Sequence, residues 1–351
     1  MTTGTLPGTN RVAVYYSNTD LRMETRPMPR VGAGELLIEV RASGICGSDV
    51  MEWYRRASAP SVLGHEIAGS VVAAGDGVAA FTPGDRIVVT HHVPCMVCRY
   101  CRTGRHTMCD MLRRTSLDPG GFAQYVRVPA VNVERGALAL PAHVSWEAGS
   151  MVEPLACTLR GQLKAGLASG DTVLILGAGV SGCLHLLAAQ ALGAARIIVS
   201  DICAQRRVFA ESLGADLVLD GDDQLPERVR GSLGHQVDRV IVCTGDARAI
   251  AQAIDAVDRG GVVLFFAPMG ADREFPLPFD KVFWRDDRTL TSSYGAGLTD
   301  LSRALALIES GRIDVTKIVT HRLPLREIQT GFDLMTQAGN SLKIVLDPME
   351  E

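Results

Sequence analysis

Residues 172–182 read TVLILGAGVSG: an apolar, β-branched run, a turn with glycines spaced G-x-G-x-x-G, and the start of the helical pattern SGCLHLLAAQALG. A strand that ends in a glycine turn and passes straight into a helix is the opening unit of a doubly wound α/β domain. Gly177 permits the turn, Gly179 lets backbone approach a pyrophosphate, and Gly182 allows close helix–strand packing. The helix start at Val180 and Ser181 turns backbone N–H groups and the positive end of the helix dipole towards phosphate. The next strand, RIIVSD, ends at Asp201, where an acid accepts hydrogen bonds from the adenosine ribose hydroxyls and repels a 2′-phosphate. A dinucleotide is therefore expected, NAD over NADP, with Arg206 and Arg207 near enough to temper the preference.

Downstream the alternation continues through the helix pattern AQRRVFAESLG, the strand DLVLD, and the strands RVIVCTG and VVLFFAP separated by AIAQAIDAVDRG. Strand and helix in regular alternation require crossover connections and a parallel sheet covered on both faces. Upstream the texture differs. RVAVYY, ELLIEV, IAGSVVAAGDGV and GDRIVV are short strand patterns broken by Pro and Gly, so the N-terminal part is β-rich. After residue 290 the pattern is mixed and closes on the apolar strand SLKIVL. The expected architecture is α/β: a β-rich domain over 1–155, a doubly wound domain over 156–290, and a return of 291–351 to the first.

A chain of 351 residues suits two domains, since single cores stop growing near 250–300 residues. A formal net charge of -4 and a pI near 6.1 give no global electrostatic reason to bind nucleic acid or anionic membranes. The N-terminus MTTGTLPGTNRVAVYY lacks a basic segment followed by an apolar run, and no apolar stretch approaches a membrane span of roughly 18 residues. The expected location is the cytoplasm, with reduced thiols, where clustered cysteines point to metal more than to disulfides.

The cluster is PCMVCRYCRTGRHTMC, residues 94–109. Cys95, Cys98, Cys101 and Cys109 follow C-x2-C-x2-C-x7-C, a spacing that aims four thiolates at one structural zinc. Asp110 follows the last cysteine, where bacterial iron–sulfur runs carry Pro. Arg99, Arg102, Arg105 and His106 make the loop basic, so a nucleic-acid-binding zinc ribbon is a rival, but one basic loop in a mildly acidic chain supports it weakly. A second set of metal-type residues is scattered: Cys46 in GICGSD, His65 and Glu66 in GHEIAG, and Glu153 in MVEPLAC. Each alone reads more simply as packing or capping. Together they make a mixed S/N/O set with room for water or substrate, which describes a catalytic zinc.

Through GHEIAGSVVAAGDGV, PGDRI, the four-cysteine loop, GGFAQYV, EPLAC, GAGVSG and SSYGAG, the whole chain resembles the zinc-dependent medium-chain alcohol dehydrogenases, and most of all their sorbitol-type polyol and threonine branch. The resemblance implies a GroES-like catalytic domain, a Rossmann domain, two zinc ions per subunit, and reversible hydride transfer between NAD(H) and a secondary alcohol: a polyol, sugar alcohol or hydroxy amino acid. It implies that Cys46, His65 and either Glu66 or Glu153 hold the catalytic zinc, and that Ser48 receives the substrate proton. Met51 and Glu52 stand where polyol relatives often carry a His, leaving Glu52 or water for the outer end of the proton path. Trp53, Tyr54, Phe122 and Tyr294 are candidate pocket walls, Arg55 and Arg56 read as a solvated pair, and Cys157, Cys183, Cys203 and Cys243 as packing residues. Relatives of this kind are dimers or tetramers, so a homo-oligomer is expected. The alternatives are a zinc- and cofactor-binding relative without turnover, or a zinc-free quinone or enoyl reductase of the same fold.

Overall fold

The computed structural model describes residues 6–271, 273–337, 339 and 341–350. The chain divides into two compact units, one formed by Met1–Glu153, Ala296–Ser310 and Val319–Glu351, the other by Pro154–Gly295 and Gly311–Ile318. This departs from a simple return of 291–351 to the first unit: the stretch Gly311–Ile318 belongs to the second. There Arg312 donates from Nη2 to the carbonyl of Ala191 at 2.7 Å, and Val315 and Ile318 are buried. An apolar pair with a helix carbonyl to cap overrides chain order.

In the first unit a seven-stranded sheet runs in the order Val319–Pro324, Lys343–Asp347, Leu36–Gly44, Glu66–Ala74, Arg86–Val89 and Ala137–Ala139, with Tyr125–Val128 also paired to Leu36–Gly44. A smaller sheet holds Asp20–Pro27, Thr9–Ser17 and Ser61–Val62. The core between them is built from Val12, Val14, Tyr15, Ile38, Ile67, Phe122 and Phe332. Phe122 is 0% exposed and meets the Phe332 ring edge-on at 6.2 Å, so it is a core residue and not a pocket wall. The antiparallel register of the central pair sets Gly44 opposite Glu66. That register brings Cys46, two residues past one strand end, next to His65, one residue before the other.

In the second unit all six strands are parallel, in the order Leu217–Asp220, Arg196–Asp201, Thr172–Leu176, Val237–Val242, Val257–Phe265 and Thr289–Ser292. Chain order reverses at Thr172–Leu176, and in open parallel sheets ligands bind outside the C-terminal strand ends at such a switch point. The run AIAQAIDAVDRG is only partly helical. Helix Ala247–Ala256 stops where Val257, 0% exposed, pairs with Val237 and starts a strand, because burial of a β-branched residue outweighs continuation of the helical period.

The helix after the glycine turn, Val180–Leu192, carries a fully buried histidine. Gln162 donates from Nε2 to the His185 carbonyl at 2.7 Å, and Phe266 packs edge-on to the imidazole at 4.5 Å. Burial pushes the His185 imidazole down to about 3 from its ordinary 6.5. As pH falls, the unfolded chain is protonated first, so stability present above 6.5 is lost towards 3. At pH 5 the loss is about 2 kcal/mol relative to pH 8. Denaturant unfolding of His185→Leu is expected to show an acid sensitivity smaller by that amount. Identical pH dependence in the two proteins would contradict it.

Candidate metal centres and cofactor site

The sheet register delivers three metal-type donors to one place: the ligand atoms of Cys46, His65 and Glu66 all lie within 4.8 Å of one another. Glu66 and His65 are buried, Cys46 partly so. One carboxylate oxygen of Glu66, Oε2, is taken by the ammonium of Lys343, which also donates to the carbonyl of Ile45 at 2.9 Å. Both side chains of this ion pair are 1% exposed. Glu153 is close enough that its charge acts on His65. Burial disfavours protonation of His65, yet Asp49, the Cys46 sulfur and Glu153 outweigh it and push the imidazole up to about 10. A site whose negative groups hold a proton that firmly is one a divalent cation would enter by displacing it, and a thiolate, an imidazole and a carboxylate with a fourth position open suit zinc.

Around these donors lies a second layer. Asp49, fully buried, accepts from the Cys46 backbone N–H at 3.0 Å through Oδ2, while its Oδ1 faces His65 Nδ1 at 3.6 Å and Arg55 Nη2 at 3.0 Å. Ser48 donates from its hydroxyl to Cys46 Sγ at 3.4 Å. His91 lies between His65 and His92, with ring centroids 4.6 and 3.7 Å away and the rings tilted by 43° and 31°. Burial keeps both neutral, His91 well below the usual imidazole value and His92 down to about 4.

The four-cysteine loop closes on itself. The ligand atoms of Cys95, Cys98, Cys101 and Cys109 lie within 4.8 Å of one another, and the Cys95 and Cys101 sulfurs are 4.0 Å apart. Sulfurs on one tetrahedral zinc stand roughly 3.8 Å apart, given Zn–S bonds near 2.3 Å. Backbone N–H groups of Val97 and Cys98 hold the Cys95 thiol down to about 6, the behaviour of a sulfur prepared as thiolate. Cys101 and Cys109 are buried and pack with Leu112.

In the second unit Gly177 adopts φ of +98°, and a Cβ on Gly182 would lie 1.8 Å from the Gly177 carbonyl oxygen, so neither position admits a side chain. Asp201 accepts from Ala178 N and Cys203 N, both at 2.7 Å, binding the turn to the end of its own strand. The Arg206 guanidinium lies over Gly179, 3.8 Å from where a Cβ would be, and its Nε is buried without a hydrogen-bond partner. A cation poised over a glycine turn at a helix start fits a bound phosphate or ribose. Arg207 instead turns to the Asp201 carbonyl and to Asp220.

Some expectations of the sequence change here. Burial and then the charge of Glu52 raise the Tyr15 phenol, while the Ser48 hydroxyl lies between Arg55 and the Cys46 sulfur. Arg55 is 17% exposed and engaged in three hydrogen bonds, so only Arg56 is a solvated arginine. Trp53, Tyr54 and Tyr294 are exposed. Lys343 and Asp49 went unnoticed in the sequence. The one available signal for the first was a lysine inside the apolar run SLKIVL, which a buried strand tolerates only beside an acid.

Comparison with known proteins agrees with this geometry. The alcohol dehydrogenase GroES-like domain matches residues 32–141, and the zinc-binding dehydrogenase domain matches residues 179–310. The chain is 31% identical to sorbitol dehydrogenase of Ovis aries over 97% of this chain and 98% of the relative. It is 33% identical to L-threonine 3-dehydrogenase of Bacillus velezensis, covering 92% and 94%. The crystal structure of 2R,3R-butanediol dehydrogenase from Bacillus subtilis superposes with a TM-score of 0.85 at 26% identity, covering 97% and 99%. With zinc-type donors, a dinucleotide turn and full-length likeness in agreement, the chain belongs to the zinc-dependent medium-chain alcohol dehydrogenase family and is an oxidoreductase of alcohols.

Proposed function

We propose that the protein reversibly oxidises a secondary alcohol of the polyol, sugar alcohol or hydroxy amino acid class with NAD. The observation that carries this is the convergence of Cys46, His65 and Glu66 within 4.8 Å beside a proton-carrying hydroxyl, Ser48. Cys46, His65 and Glu66 would hold the catalytic zinc, and Glu153 stands within electrostatic reach of His65 as the alternative carboxylate. When bound, zinc supplies a Lewis acid that polarises the oxygen of alcohol or ketone. Asp49 orients His65 by facing its Nδ1. Ser48 Oγ would accept the substrate's hydroxyl proton while passing its own on to solvent, and bound NAD would supply the hydride acceptor for the carbinol carbon.

On the cofactor side, the backbone N–H groups of Gly179, Val180 and Ser181 would hold the pyrophosphate with Arg206 beside them, and Asp201 would receive the adenosine ribose hydroxyls, which favours NAD over NADP. The four-cysteine site is structural. A homo-oligomer, tetramer or dimer, is supported by the exposed apolar side chains Leu277, Phe279, Phe283 and Trp284, which precede the edge strand Thr289–Ser292 in the chain. None of the nine cysteines is paired in a disulfide, which suits a reducing compartment and hence the cytoplasm. No helix of the described residues is long and apolar enough to cross a membrane.

The test is absorbance at 340 nm with separate NAD and NADP wells and a panel of polyols, sugars, secondary alcohols and threonine. A rise with NAD and one class of alcohol is expected. Silence across the panel from protein shown to carry both zinc ions and to bind NAD would overturn the substrate class.

A further inference from the structure

Arg55 closes the short helix Glu52–Arg55, only nine residues beyond Cys46, and its guanidinium turns back under the metal-type donors. Three directional bonds fix it there: Nε donates to the Ser48 carbonyl at 2.9 Å, and Nη2 donates to Ser48 Oγ at 3.0 Å and to Asp49 Oδ1 at 3.0 Å. The Tyr54 ring lies against the guanidinium at 4.7 Å. Asp49, with 0% side-chain exposure, would be a costly buried charge without this partner.

Each of the two residues that Arg55 grips touches a proposed zinc ligand. Asp49 accepts from the Cys46 backbone and faces Nδ1 of His65, which leaves Nε2 of that imidazole for metal. Ser48 accepts from Arg55, so its single hydroxyl proton is directed to Cys46 Sγ at 3.4 Å. A guanidinium stays protonated at any working pH and offers a rigid planar fork. It therefore acts as a clamp and carries no proton.

We propose that Arg55 is a positioning residue of the catalytic metal centre: by bridging Asp49 and Ser48 it holds the imidazole of His65 and the hydroxyl beside Cys46 in their metal-facing orientation. The proposal rests on the reading of Cys46 and His65 as zinc ligands. It also accounts for the absence of a histidine after the Cys-Gly-Ser-Asp segment, since the place beside Ser48 is occupied by a group that orients and does not titrate.

The experiment measures metal at this centre directly. Full-length protein, Arg55→Met and Arg55→Lys are loaded with cobalt(II), and the catalytic-site affinity is read by chelator competition together with the visible absorption bands. Arg55→Met is expected to weaken metal binding roughly 10–100-fold and to shift the bands, with the four-cysteine metal retained. It should also lower kcat more than it raises KM, because the misplaced hydroxyl acts on the chemical step. Arg55→Lys keeps the charge without the fork, so it should restore folding while leaving affinity and bands altered. Affinity within about twofold of the parent and unchanged bands in Arg55→Met would overturn the proposal; if that variant fails to fold, the same result in Arg55→Lys would do so. A parent protein that holds metal only at the four cysteines would overturn this proposal and the ligand reading together, whereas a parent with both sites filled and variants unaltered overturns this proposal alone.

Discussion

Lys343→Met should destabilise the first unit of the zinc-free protein by about 3–5 kcal/mol, because with no metal bound it leaves the Glu66 carboxylate buried without its counter-charge. The two side chains are each 1% exposed, so the ammonium is shut off from bulk solvent, and its described partners are Glu66 and the carbonyl of Ile45. The surrounding backbone is shaped around the pair. A Cβ at Gly44 would stand 2.3 Å from Glu66 Oε2 and 2.7 Å from Lys343 Cε, so the sheet reserves a glycine where the ion pair crosses it. Removing the lysine also frees Glu66 to swing, and the catalytic zinc content should fall. The measurement is denaturant unfolding with zinc analysis on the parent, Lys343→Met and Lys343→Met/Glu66→Gln. The double variant carries no orphaned charge, so it should recover much of the stability while still losing catalytic zinc. A single variant within about 1 kcal/mol of the parent would show that the pair does not hold the strands together.

The second large effect separates the two metal centres. Cys46→Ser should lose several kcal/mol of transition-state stabilisation, a fall on the order of 10³-fold or more in kcat/KM, at nearly unchanged melting temperature. Cys98→Ser should do the reverse. Its sulfur belongs to a closed four-thiolate set whose binding energy is folding energy, so the melting temperature or the oligomer size drops first and activity follows only through unfolding. Each variant should lose one zinc ion of the two that the clusters of donors would hold. The assignment fails if Cys46→Ser keeps turnover within about tenfold of the parent, or if Cys98→Ser melts and assembles like it.

What the sequence determined by itself is what neighbouring residues decide. The glycine turn at 177–182 was legible because Gly177 at positive φ and Gly182 against the Gly177 carbonyl leave no room for other residues, and both constraints act within one strand–turn–helix. The four-cysteine loop was legible for the same reason, since its ligands span positions 95 to 109 and need no distant partner. Strand periodicity likewise marked Thr172–Leu176, Arg196–Asp201 and Lys343–Asp347. The scattered metal-type residues Cys46, His65, Glu66 and Glu153 could be named by family likeness, but no spacing relates them. Only the register that sets Gly44 opposite Glu66 makes Cys46 and His65 neighbours.

The groups that tune the centre were decided by the folded structure, over a short stretch of chain for Arg55 and across most of it for Lys343. Lys343 reaches Glu66 across 277 positions, and it does so because a third strand pairs on the far side of Leu36–Gly44. Arg55 resembles its solvated neighbour Arg56 in every local respect until the chain folds a buried Asp49 beneath it. Phe122 looks like a pocket aromatic by composition and becomes core because Phe332 arrives from the last sixth of the chain. Local sterics and spacing are written in consecutive residues. The compensation of a buried charge depends on which distant groups packing brings within about 3 Å, and that is settled only when the sheet closes.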